Sequence, residues 1–450
     1  MSSKSISIPH DDGFHLKFCR ILYFLFLISI AGCKKGALPV DSVVTQKTTP
    51  FITFIQPAND SANVSTDSRI YASFSQAMDS TTITTSDFIL RNGNINIPGT
   101  VSYSNKTAVF IPDDDFTPNA TYTGTITTGV KNLSGISLKS NFIWNFTTGD
   151  AYHYEMTQRS TAVTDFARDG TKMMQMGDYI YSYGGWTADP IQTYNDVYRS
   201  NGNLSTWTKM PDAPWHGRHT FGIAKPDSTL YVIGGDYQNN VFDVWSSTDG
   251  ITWEEKNDGR GNFLGNRILY GACSHNGKLY ILGGQVGIDT TYGLFTDVWS
   301  SVDGKNWSQI ATDKNFLGKN VSGASASFNG KIWVIGGGLY DYSLAPALRF
   351  NNEVWNSVDG INWQQQPTPP WPGRQYTNVC VWDNKLWMIG GTNGSNLADI
   401  WYLKKNGTWT QFTPPPSYIG RHATAVAVFN DQLVITCGNY NNDCWVIEKQ

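Results

Sequence analysis

A dipeptide that returns six times, at intervals of 47 to 54 residues, constrains this chain more than any other feature. Gly-Gly pairs begin at Gly184, Gly234, Gly283, Gly336 and Gly390, and Cys437-Gly438 takes the sixth place. Each follows an apolar run such as LYVI, LYIL, IWVI or LWMI. Each precedes an acidic residue placed two before an aromatic: Asp196/Tyr198, Asp243/Trp245, Asp297/Trp299, Glu353/Trp355, Asp399/Trp401 and Asp443/Trp445. A second Trp follows at Trp207, Trp253, Trp307, Trp363 and Trp409. Sixteen residues before each dipeptide stand Arg168, Arg218, Arg267, Asn320, Arg374 and Arg421. Units of this length hide their apolar faces only against one another. Short alternating runs between Gly, Asn and Asp turns, without helical periodicity, make the units strands.

The Arg, the Gly-Gly pair and the two spaced aromatics resemble the kelch repeat over some 300 residues. Six units imply a six-bladed β-propeller spanning 152–450. The sixth unit lacks its second Trp, and the segment AYHYEMTQ before the first unit supplies the missing strand. Residues near 152–158 are therefore expected to close the ring, removing the sheet edges an open array exposes.

Upstream, residues 50–149 hold about seven short alternating runs, the pattern of an Ig-like sandwich. FSQAMD, FIP, ATYT and the closing FTTG resemble the bacterial Ig-like domain of S-layer proteins, a family whose members commonly act as spacers. Asp113-Asp114-Asp115 reads as a solvated turn rather than a calcium loop. The fold class is therefore all-β: a sandwich followed by a propeller.

The first 32 residues read as a targeting segment. Lys17 and Arg20 precede the apolar run Ile21–Ile30, too short to span a bilayer as a mature helix. Ile30-Ala31-Gly32-Cys33 resembles a lipoprotein lipobox, which implies cleavage before Cys33 and its acylation. Lys34 follows, so the aspartate that retains some lipoproteins in the inner membrane is absent. With 33–49 as a tether, an outer-membrane lipoprotein of the cell envelope is expected, anchored to the membrane rather than threaded through it. Export permits disulfides, and Cys437 and Cys444 flank one hairpin; a bridge and a facing pair of thiols are both open readings. No Cys/His spacing suggests a metal site, and no cofactor is expected.

Blade connectivity separates two faces. The turns between the first and second strands (Asn276-Gly277, Asn329-Gly330) and between the third and fourth (the Asp-Gly of DVWSSTDGITW and its repeats) are uniform hairpins. Asp249, Asp303 and Asp359 there read as turn residues; the stretch also resembles the sialidase Asp-box, one residue shorter. On the other face the connections between second and third strands vary widely in length, from NYNN to GLYDYSLAPALRFNN. Binding residues concentrate on such variable loops.

Of 17 Trp, fourteen have a place in a strand or in the sandwich; Trp186, Trp215 and Trp371 map to the variable face. Exposed indoles with polar neighbours suit sugar rings, and Trp packed as lids over the blades is the alternative. The candidate ligand-binding set is Trp186, Trp215, Arg218, His219, Trp371, Arg374, Tyr418, Arg421 and His422. The Arg side chains either line the channel mouth or bond loop backbone.

With 16% charged residues and a net charge of −4, no footprint for nucleic acid is visible. Kelch propellers include galactose oxidase and sialic-acid epimerases, so catalysis is weighed. The copper oxidase's two His, tyrosyl ligands and Cys–Tyr crosslink are not matched. Acid–base chemistry would draw on His219, His422, Asp165, Asp236 and Asp289, but no spacing singles out a catalytic residue. The expectation is a binder of a glycan or other extracellular ligand. The alternatives are a metal-free carbohydrate-active enzyme on the same face and a docking module for other envelope proteins.

Overall fold

The computed structural model describes residues 48–450 other than 236–241, 261–264, 266, 287–292, 341–347 and 405–406. The leader, Cys33, Asp236 and Asp289 lie outside the described residues. No helix among those described is long and apolar enough to cross a membrane.

Residues 52–148 form two sheets. One carries Ile52–Gln56, Ile70–Phe74, Thr107–Pro112 and Gly99–Ser104 in that order. The other carries Ser61–Val64, Phe142–Thr148, Thr121–Ile126, Phe88–Asn92 and Ile95–Asn96. Burial alternates along Thr107–Pro112, as a strand with one face inward requires. Phe88, Phe110, Tyr122, Trp144 and Phe146 fill the space between the sheets. Gly124 is obligatory here: a Cβ would fall 2.4 Å from the indole of Trp144.

Six four-stranded antiparallel sheets follow among the described residues, each a blade. Their inner strands, in blade order, are Lys172–Met176, Gly222–Ala224, Gly271–His275, Ser325–Phe328, Asn378–Trp382 and Ala425–Phe429. Cores form between successive blades: Tyr231 and Ile233 of blade two pack with Tyr270, Leu279 and Ile281 of blade three. Blade six takes its outer strand from upstream, where Tyr154–Ser160 runs antiparallel to Cys444–Lys449 with Tyr154 opposite Lys449. The architecture is an Ig-like sandwich followed by a six-bladed kelch-type propeller.

The repeated dipeptide is the joint between blades. Both glycines have positive φ, as Gly184 (58°) and Gly185 (106°) show. In four blades the second donates its N–H to the Arg carbonyl of the next blade: Gly185 to Arg218 (2.9 Å), Gly337 to Arg374 (2.8 Å), Gly391 to Arg421 (2.9 Å), and Gly438 to Arg168 (3.0 Å), which joins blade six to blade one. Gly284, ahead of the Asn320 unit, donates to Leu317 instead. A Cβ on the first would meet that carbonyl, at 2.4 Å for Gly390.

The structure adds two details. The blade-one connection WTADPIQTYN is itself a hairpin, because Tyr179–Ala188 and Ile191–Ser200 stay paired up to Ala188 opposite Ile191. Cys437 and Cys444 are free, buried thiols, not a disulfide. The register sets Cys444 opposite Thr436, while the Cys437 N–H bonds Asp443, so the two are offset along the hairpin.

Candidate functional site

The blade arginines are committed to structure. Arg218 donates to both carboxylate oxygens of Asp243 (2.5 and 2.9 Å), to the Gly234 carbonyl and to the His216 carbonyl. Arg374 does the same with Asp399, Gly390 and Pro372, and Arg421 with Asp443, Cys437 and Ile419. Such bidentate forks, fully buried, leave no guanidinium for a ligand. The same Asp accepts the indole N–H of its blade's Trp, as Asp243 does from Trp245 at 2.8 Å. In blade four, where Asn320 replaces the Arg, the neighbouring Lys319 lies 3.6 Å from Glu353.

Three aromatics of the candidate ligand-binding set are lids, the alternative reading for Trp215 and Trp371. Trp215 (3% exposed) stands edge-on over Trp253 at 4.4 Å, Trp371 (1%) over Trp409 at 5.8 Å and Tyr418 (4%) over Trp445 at 5.5 Å. Each covers the outer aromatics of its own blade. The Asp-Gly turns are scaffold as well. Asp249 accepts N–H bonds from Ile251 and Thr252, and Ser247 Oγ accepts from Gly250; Asp303 and Asp359 repeat this. Burial pushes the Asp249 carboxyl up, but these donors outweigh it and hold it at about 2.

A contiguous sector of the variable face, over blades five, six, one and two, brings other residues together. The residues after the Arg of blades five, six, one and two are Gln375, His422, Asp169 and His219, which occupy equivalent positions around the mouth of the channel on this face. Asp169 and Trp186 exchange backbone hydrogen bonds at 2.9 Å, so the blade-one hairpin carries Trp186 beside Asp169. Half-buried Trp186 stacks on His219 (5.7 Å, 25°) and contacts Tyr440, which is 41% exposed. His422 spans two partners: Nδ1 lies 2.6 Å from Oδ1 of Asn396, and Nε2 lies 3.3 Å from Oδ2 of Asp169. Tyr376 closes the group, its ring 5.6 Å from that of His422.

Two polar atoms at this mouth have no hydrogen-bond partner among the described residues, Oδ1 of Asp169 and Nε2 of Gln375. Unpaired buried groups are costly, and each calls for a physical explanation. Sequence reasoning found Trp186, His219 and His422 but passed over Asp169, Gln375, Tyr376, Asn396 and Tyr440. Asp165 stands apart, half exposed and 3.5 Å from Lys209.

The bacterial Ig-like domain family matches residues 46–148. The chain is also 22% identical over 219 residues to N-acetylneuraminate epimerase of Salmonella arizonae, covering 47% of this chain and 50% of that protein. It is 23% identical over 301 residues to Kelch-like protein 23 of Mus musculus, covering 64% of this chain and 46% of that one. This is a bacterial Ig-like domain joined to a kelch-type propeller. The chain spans about half the length of the curated relatives it matches. Within the kelch-type propeller, the Arg–Asp pairs of five blades and the glycine joints hold the blades, and the residues that differ from blade to blade at the mouth make the candidate site.

Proposed function

We propose that this is a lipid-anchored protein of the bacterial cell envelope whose propeller binds a carbohydrate on its variable face. The observation that carries this reading is the sector of Trp186, Tyr440 and Tyr376 beside Asp169, His422 and Asn396. It offers flat aromatic surface for a sugar ring, and carboxylate, amide and imidazole for its hydroxyls. The sandwich meets the opposite, turn side through Asp67, which pairs with Lys385 and Lys449, and this leaves the variable face free to meet a ligand. The Ig-like domain then acts as a spacer above the membrane.

A glycan array with the purified chain tests this. Binding of a defined glycan class, lost in Trp186→Ala and Tyr440→Ala with unchanged thermal unfolding, is expected. Binding that survives both substitutions overturns the sector as the site, and absence of any glycan ligand overturns the carbohydrate.

A second reading, acid–base chemistry on a sugar at the same site, is favoured by the His422–Asp169 contact. The similarity to proteins named N-acetylneuraminate epimerase points the same way. Isomerisation of a bound sugar followed by NMR, abolished in Asp169→Asn and His422→Gln, would replace binding by turnover.

A further inference from the structure

The propeller encloses a second cavity, of about 470 Å³, along its axis and lined by all six inner strands. Backbone hydrogen bonds between neighbouring blades form a collar around the axis beyond its inner end. Ala423 N–H bonds the Tyr376 carbonyl, Gly170 that of Ala423, Thr220 that of Gly170 and Val321 that of Leu269, at 2.8 to 3.1 Å. Gly170, Thr220, Leu269 and Ala423 of this collar are buried, as is Ser322 beside it. At the other end the lining residues Gln175, Lys225, Ser274, Ser327, Val381 and Val428 are partly accessible, so the cavity opens on the turn side.

Its walls differ around the axis. Blades one and two contribute Lys172, Gln175 and Lys225; blades three and four contribute Ser274, Ser325 and Ser327; blades five and six contribute Val379, Val381, Val426 and Val428. No Asp or Glu lines it. Lys225 donates to a backbone carbonyl, that of Gln175, at 3.2 Å. Neither lysine pairs with a carboxylate among the described residues, although Asp169 exerts a longer-range pull on Lys172. Burial pushes the Lys172 ammonium down to about 8, which leaves it charged at neutral pH. Two cations beside an enclosed aliphatic wall, without a counterion, are a poor scaffold and a good receptor.

We propose that this channel binds a small amphipathic carboxylate, its head on the lysine wall of blades one and two and its aliphatic part on the valine wall of blades five and six. The hydroxyl wall between them supplies hydrogen-bond donors for the head. The site is independent of the variable-face reading, because none of the residues of that sector lines the channel.

Titration calorimetry of the full chain with hexanoate, hexan-1-ol and inorganic phosphate tests it. Hexanoate should bind saturably, and at least tenfold more tightly than the other two. Lys172→Gln and Lys225→Gln should each weaken hexanoate tenfold or more while leaving hexan-1-ol unchanged. Val428→Phe should abolish hexanoate binding by filling the valine wall, with circular dichroism confirming the fold of each variant. Should one lysine variant fail to fold, the other carries the charge test. Equal affinity for hexan-1-ol makes the channel a plain apolar cavity, and equal affinity for phosphate makes it a plain cation patch; either result, or no saturable hexanoate binding, overturns the proposal.

Discussion

Nζ of Lys449, on the third strand of blade six, donates to Oδ2 of Asp67 in the Ig-like domain at 2.6 Å. Lys385 lies 3.5 Å from the same carboxylate, and both lysines also reach Asp383 in the first turn of blade five. Tyr154 donates to Asp383, and Tyr152 donates to Asp115 of the sandwich. Two carboxylates and two ammoniums thus balance in a buried junction. That junction ties the sandwich to the blades closed by the upstream strand.

Asp67→Asn should therefore weaken the junction by about 3 kcal/mol, since removing one partner strands the other charges. Burial pushes the Asp67 carboxyl up, but bonds from Lys449 and Ser65 and the charges of both lysines bring it well below the usual range. A depressed carboxylate stabilises above its unfolded value, near 4, and that contribution disappears as pH falls toward the folded one. The difference in unfolding free energy between wild type and Asp67→Asn should hold from pH 5 to 7 and shrink steadily below about pH 4. A difference independent of pH would remove the ionic account of the junction.

The Arg–Asp forks make a sharper prediction about the blades. Arg374→Met should cost about 3 kcal/mol in denaturant unfolding, because it leaves the half-buried Asp399 beside Trp401 without its cation. Arg374→Met with Asp399→Leu should recover much of the loss, since an apolar pair no longer needs solvation. Additive losses in the double variant would show that the two side chains act separately.

The propeller was legible because its joints repeat; the site was not, because a site is made where repeats differ. The Arg–Asp pairing was available from one correlated exception, as the unit with Asn320 is also the unit with Glu353 in place of Asp. Chemistry at the mouth was visible in half. His219 and His422 stood out as histidines, whereas Asp169 and Gln375 fill the same place after their Arg and are ordinary residue types. The lids were misread for the opposite reason. Trp215, Leu317, Trp371 and Tyr418 each stand three residues before the Arg or Asn of their unit and all are buried, so in these four units the position belongs to the scaffold, whereas Asp165 at the same place in unit one is exposed. The variable length of the neighbouring loops concealed that register. Tyr440 and Asn396 had no sequence signal, since chain distance carries no information about which loops meet over the axis.

Trp215 and Trp186 separate the scaffold from the site. Trp215→Ala opens a cavity against Tyr183, Trp245 and Trp253, and should lower stability by about 3–5 kcal/mol. Trp186→Ala removes a half-buried ring stacked on His219 and should cost less than about 1 kcal/mol. Urea unfolding of both variants measures this; equal losses would mean that Trp186 is also a structural lid.

The thiols of blade six offer a chemical test of the hairpin. Burial raises the Cys437 thiol to about 11 and raises Cys444 further, with Cys437 adding to the effect. Thiolate, the reactive form, is therefore scarce at neutral pH, and both groups are shielded within a core that includes Met173, Ala425 and Val434. Iodoacetamide should leave Cys437 and Cys444 unlabelled in the native protein at pH 7.5. In denaturant without reductant, the peptide holding both residues should gain two labels by mass spectrometry. A peptide two hydrogens lighter and unlabelled would place a disulfide there. Rapid native labelling of Cys444 would instead show that the hairpin closing the ring opens readily, which its pairing with Tyr154–Ser160 on one side and Gln432–Thr436 on the other argues against.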